Sequence, residues 1–193
     1  MYQEGFLIIF FQKEENVSLI IDLFKGVLGS GIKTKRTPSA LTISFPVNLE
    51  FNYAELINMI NYDMFIPSVM FFCPRLYDEI TIEAYEAYIM SLRNDILSLN
   101  ELVVTEEKLI TINKGNALIF KNIFGPYSDD YEMQNLIKTF LDYNMNISKT
   151  ANVVFMHRNT VMNKIDRFKE VTGFDIKNFK TAFVIYHLLL NRQ

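Results

Sequence analysis

The sequence predicts an α+β protein, with a mixed α/β domain over residues 1–126 followed by an all-α domain over residues 127–193. Three observations carry that division. In the first part, short apolar runs of strand character alternate with amphipathic helical stretches, whereas the last third shows helical periodicity throughout. Charge also changes sign along the chain. Residues 1–130 hold ten Lys/Arg and seventeen Asp/Glu, a balance of −7, while residues 131–193 hold nine against five, a balance of +4. The third observation is a helix, tight turn, helix pattern between Asn146 and Val161.

Residues 5–11 form a continuous apolar run of Phe and Ile, which suits a strand buried on both faces. A helix over 16–28 follows, with Val17, Ile20, Ile21, Phe24 and Leu28 on one side, and Gly29-Ser30-Gly31 ends it. Residues 32–36 and 40–47 read as two strands joined by Thr37-Pro38-Ser39, with alternation plain in Leu41, Ile43 and Phe45. A helix over 53–64 leads to a buried strand at 68–72, and a long helix over 81–99 comes next. Residues 101–124 leave two readings open. The segments 109–112 and 117–120, separated by Asn113-Lys114-Gly115-Asn116, form either a hairpin or broken helices.

The order strand, helix, strand, strand, helix, strand is the ferredoxin-like split pattern. Over about residues 5–112 this element order also resembles the GGDEF-type palm domain. That resemblance implies a degenerate copy. Active cyclases of the family need a Gly-Gly-Asp/Glu-Glu-Phe hairpin, whose glycines admit phosphate and whose carboxylates hold metal. The corresponding tip here, Arg36-Thr37-Pro38-Ser39-Ala40, has neither glycine nor carboxylate, so cyclase activity is not expected.

In the last third, Ser148 is placed to cap a short helix by accepting a backbone N–H bond. Ala151 is small enough to let a second helix cross closely, and Val154, Met156 and Val161 pin the corner. The second helix, Arg158–Thr172, buries Val161, Ile165 and Phe168 at helical spacing and turns Thr160, Asn163, Lys164 and Arg167 outward. Those residue types hydrogen-bond base edges and phosphates, so the helix reads as the recognition helix of a helix-turn-helix.

The run His157-Arg158-Asn159-Thr160-Val161, followed by Glu170-Val171-Thr172-Gly173-Phe174-Asp175, sharpens this reading. From about residue 136 to residue 190 the chain resembles the C-terminal helix-turn-helix domain of bacterial PucR/CdaR-type transcription regulators. Those domains carry a His-Arg-Asn-Thr signature and end the recognition helix in a Thr-Gly turn. The resemblance implies a regulator that reads double-stranded DNA as a homodimer, and the absence of a disulfide framework and of a secretion signal points to the cytoplasm. Its α/β domain would sense a small-molecule effector of unknown identity or mediate assembly. Thr160, Asn163 and Lys164 are the expected base or near-base contacts. Ser148, Lys149, Arg158 and Arg167 are expected on phosphates, His157 at the corner or on a phosphate, and Asn159 within the same DNA-facing set. Two positions where relatives carry basic residues hold Met162 and Asp166, and each lost phosphate contact lowers affinity. Those substitutions also permit a second reading, a regulatory or scaffold protein whose helix-turn-helix binds a protein partner.

Other features have plainer readings. Cys73, the lone cysteine, sits in an apolar run and reads as a small core residue. The apolar run at 6–11 is too short for a membrane span or a signal core. Ile82, Tyr85, Ile89, Leu92, Ile96 and Leu99 repeat at heptad spacing and fit either a dimer seam or a core stripe. His157 and His187 stand thirty residues apart without ligand partners at metal spacing. Lys33, Lys35 and Arg36 fit a solvated strand edge. No nucleophile elbow, P-loop or dinucleotide fingerprint is present, so no enzyme activity, cofactor or metal is expected.

Overall fold

The computed structural model describes residues 2–11, 17–46, 51–112 and 114–191; Asn16, Val47 and Asn113, used above as parts of a helix, a strand and a linker, lie outside them. The chain folds into two compact units, residues 2–106 and 107–193. The sequence boundary at 126/127 falls twenty residues further on. The intervening stretch belongs with the helical unit because its aromatic residues pack there: Phe120 stacks on Phe124 at 4.3 Å, and Phe124 meets Phe168 edge-on at 5.6 Å.

In the first unit, β1 (Tyr2–Phe11) lies at the centre of the sheet. It pairs antiparallel with β3 (Ala40–Pro46) on one side and β4 (Ser68–Tyr77) on the other. β2 (Lys33–Thr37) extends the sheet beyond β3, and β5 (Val103–Thr105) adds a short parallel strand beyond β4, giving the order β2-β3-β1-β4-β5. The first four strands keep the split order that the sequence predicts. Helices cover both faces, which is why residues 6–11 are apolar without alternation. Leu7, Ile9 and Phe11 join a core with Ile20, Phe24 and Leu28 of α1 (Ser18–Leu28) and Leu56 and Ile57 of α2 (Tyr53–Asn58). On the opposite face Phe6 meets Tyr85 edge-on at 5.7 Å. β2 is an exposed edge, and Lys33, Lys35 and Arg36 lie on it as expected; such charges oppose strand addition. Gly5 has a packing reason, since a Cβ there would collide with the Phe45 ring and the Pro74 carbonyl.

Three elements differ from the expectations. The helix expected at 53–64 turns into a π-helix at Met59–Asp63, where Asn61 ties the turn to β4. Its Nδ2 donates to the Ile57 and Ser68 carbonyls at 2.9 and 3.0 Å, and its Oδ1 accepts the Ser68 N–H at 3.0 Å. β4 runs five residues past the expected end, with register shifts in its pairing to β1 near Glu4. The long helix is broken at Leu92 into α3 (Ile82–Ser91) and α4 (Arg93–Ser98). Half of its heptad stripe is core, with Tyr85, Ile89 and Ile96 fully buried, while Ile82, Leu92 and Leu99 are half-buried. Cys73 is buried too.

In the second unit, α5 (Glu106–Thr111) begins at the boundary and α6 (Ala117–Phe124) follows, so the broken-helix reading of 101–124 holds and the hairpin does not. After a 3-10 turn come α7 (Tyr131–Asp142), α8 (Ile147–Val153), α9 (Arg158–Thr172) and α10 (Phe179–Leu190). Val161, Ile165 and Phe168 of α9 are buried, as are Ala182, Ile185 and Leu188 of α10. No helix among the described residues is long and apolar enough to cross a membrane.

Candidate nucleic-acid interface

The corner between α8 and α9 is built from local hydrogen bonds. Asn146, not Ser148, caps α8, its Oδ1 accepting the Lys149 N–H at 3.0 Å. Ser148 is the second residue of the helix, where its own φ/ψ is helical and the capping geometry is unavailable to it. Thr150, fully buried, donates its hydroxyl to the Asn146 carbonyl at 2.9 Å and anchors the helix from within. α8 then ends in a turn closed by the Met156 N–H on the Ala151 carbonyl at 2.9 Å. Phe155 makes that turn with φ of 53°, in the left-handed region, and its ring is 96% exposed. Of the expected corner pins, Val161 is fully buried while Val154 and Met156 are half-buried.

His157 opens α9 as its N-cap, its Nδ1 accepting the Asn159 N–H at 3.3 Å. The helix stops where Gly173 adopts φ of 75°, which costs glycine least. Thr172 closes the end: its hydroxyl donates to the Phe168 carbonyl at 2.7 Å and accepts the Phe174 N–H at 3.2 Å. Both ends of the predicted helix therefore coincide with capping groups. Arg158, Asn159, Thr160, Asn163 and Arg167 are exposed on α9, as are Ser148 and Lys149 on α8, and Lys164 is half-buried. The two helices thus bring all nine expected residues to the outside of one corner motif.

The ion pairs sort the charges of this segment. Each of the five acidic residues from 131 onward holds a basic partner. Lys138 meets Asp142 at 2.6 Å, Lys164 meets Glu132 at 2.7 Å and Arg167 meets Glu170 at 3.2 Å. Lys169 meets Asp175 at 2.7 Å, and Lys177 meets Asp166 at 2.6 Å. The Lys169 ammonium and the Lys177 backbone N–H hold the Asp175 carboxyl below its ordinary range. Lys138, with the Tyr186 hydroxyl, does the same for Asp142. Among the described residues from 131 onward, Lys149, Arg158 and Lys180 are the cations left without an ion pair, so the excess positive charge resides on them. Two of these three stand at the starts of α8 and α9. Asp166, which the sequence alone would set against phosphate, is paired with Lys177.

Residues 135–190 match the model of the PucR C-terminal helix-turn-helix domain. The chain carries a PucR-type helix-turn-helix. The uncharacterized protein YxkF of Bacillus subtilis (strain 168) is 35% identical over 92 residues, which is 48% of this chain and 29% of that protein, so the chain spans under a third of this curated relative's length. A crystal structure of a regulator of polyketide synthase expression from Bifidobacterium adolescentis covers 98% of this chain and 80% of its own at 15% identity, with a TM-score of 0.49.

Three features of the PucR-type domain escape sequence reading. The cap at Asn146 has a signal, an Asn three residues before Lys149, but Ser148 competes with it. The exposure of Phe155 follows from the left-handed turn. The pairing of Lys164 with Glu132 joins residues thirty-two apart and has no local signature. Among the described residues no cluster of three His, Cys, Asp or Glu is arranged to hold a metal ion. His187, half-buried on α10, lines a cavity of about 450 Å³ with Phe120 and Leu188, and its Nε2 is buried without a hydrogen-bond partner.

Proposed function

We propose that this chain is a non-enzymatic, cytoplasmic transcription regulator that binds double-stranded DNA as a homodimer, with α9 in the major groove. The observation that carries the reading is the placement of unpaired charge. In a PucR-type helix-turn-helix, the free cations Lys149 and Arg158 stand at the starts of α8 and α9, and α9 exposes the polar residues Asn159, Thr160 and Asn163. Thr160, Asn163 and Lys164 are assigned to base or near-base contacts. Ser148, Lys149, His157, Arg158 and Arg167 are assigned to the backbone, with Asn159 beside them on the reading face. Two copies reading half-sites about 34 Å apart supply the affinity that one copy lacks. The 2–106 unit serves sensing of a small-molecule effector or assembly.

A second reading, a helix-turn-helix that binds protein, is favoured by Phe155, 96% exposed, and Met162, 40% exposed. Capture of fragmented genomic DNA by the full chain, followed by sequencing, separates the two. Enrichment of discrete duplex segments supports the regulator. No enrichment above bare matrix overturns it.

A further inference from the structure

Resting on that reading, we infer that α9 selects A·T base pairs, with adenines addressed by Asn159 and Asn163, and that guanine is not read by this helix. Guanine offers O6 and N7, both acceptors, to the major groove, and the side chains that bind it well are Arg and Lys. Adenine offers an acceptor and a donor, N7 and the N6 amine, which match the amide of Asn in a bidentate pair. The question is which groups the first two turns of α9 present outward.

At about 100° per residue, Asn159 and Asn163 lie about 40° apart on one stripe, and Thr160 lies about 60° to one side of Asn163. All three are exposed. Arg158, the free cation at the start of the helix, lies about 140° round from Asn163 and so faces the flank, where phosphates run. Lys164 lies about 40° beyond Thr160, at the rim of the stripe, and its ammonium is held against Glu132 at 2.7 Å. Arg167 does share the stripe, but it sits a turn further along and holds Glu170 at 3.2 Å. Bringing that pair to a guanine edge would set the Glu170 carboxylate, an acceptor, against two further acceptors. What remains on the reading stripe is two amides and a threonine. The methyl group of Thr160 fits the thymine C5-methyl. Asn159 and Asn163 are about 6 Å apart along the helix, near the rise of two base steps of about 3.4 Å each. The half-site therefore holds two adenines about two steps apart.

The test is selection of duplexes with randomised half-sites by the full chain, sequenced after enrichment, for the wild type and for Asn163→Ala. Because Asn163 is exposed, the variant is expected to keep the wild-type circular dichroism spectrum. The expected wild-type motif is A·T-rich with two adenines about two steps apart. Replacing the adenine opposite Asn163 by G·C costs roughly tenfold or more in affinity, and Asn163→Ala removes the preference at that position alone. Placing 7-deazaadenine there, which lacks the N7 acceptor, produces a similar loss without touching the protein. A G-rich motif, or an adenine preference that survives both Asn163→Ala and the 7-deaza base, overturns the inference while leaving DNA binding intact. Salt-sensitive binding with no motif does the same. Absence of duplex binding even at low salt overturns the proposed function along with it.

Discussion

Arg158→Ala tests the electrostatic part of the interface. Arg158 is exposed, opens α9 and has no ion pair among the described residues, so its removal perturbs no internal partner. Each phosphate neutralised contributes about −0.9 to the slope of log affinity against log salt. In the proposed dimer, Lys149 and Arg158 of two copies give four contacts and a slope of about −3.6. Between 50 and 200 mM salt that slope corresponds to about a 150-fold loss of affinity, by the same counterion rule. Arg158→Ala removes two contacts, so the slope falls to about −1.8 and the loss over the same range to about twelvefold. Lys169→Ala is the control: that ammonium lies outside the assigned contacts and is held by Asp175 at 2.7 Å, so the slope should stay near the wild-type value. Fluorescence anisotropy of a labelled duplex across a salt series reads all three proteins. A slope unchanged by Arg158→Ala, or reduced more by Lys169→Ala, would refute the division between free and internally paired cations.

The remaining predictions concern stability. Ile89 is fully buried in the first unit, so Ile89→Glu should unfold residues 2–106, because an unpaired buried charge costs several kcal/mol; a variant with native circular dichroism and altered sedimentation would restore the dimer-seam reading. Asn146→Ala should cost about 0.5–2 kcal/mol by removing the α8 cap, whereas Ser148→Ala should stay within about 0.5 kcal/mol in chemical denaturation; the reverse order would reinstate Ser148 as the cap. Asp142 and Asp175 have depressed pKa values in the folded state, so their contribution is fully present above the unfolded carboxylate value near pH ~4 and is lost as pH falls through the lower folded values. The melting temperature should accordingly drop on acidification below about pH 4, and Asp142→Asn with Asp175→Asn should flatten that drop; an identical acid profile for the double variant would remove these pairs from the account.

What the sequence disclosed and what it withheld divide along physical lines. Residues 6–11 announced a strand covered on both faces because two-sided burial leaves no room for alternation. The limits of α9 were legible because both ends are fixed by local chemistry, His157 accepting at the start and Gly173 taking a left-handed turn at the end. Where two residues could serve one local role, the sequence left the choice open, and Asn146 rather than Ser148 took the cap. The break at Leu92 was invisible because the apolar spacing continues through it. The charge balance of +4 was countable, but which cations remain available was not. Glu132 removes Lys164 across thirty-two positions and Lys177 covers Asp166 across eleven, and only the folded chain brings those pairs together.

Site-specific crosslinking tests the placement of α9 in the groove most directly. Cys73 is buried, so a thiol-reactive photoprobe can be directed to Asn163→Cys on α9, with Leu19→Cys on exposed α1 as the comparison. On an enriched duplex, the probe at position 163 should attach to bases at two positions about one helical turn apart, one per half-site, and the probe at position 19 should attach to none. Crosslinks from position 19 with none from position 163 would contradict the account.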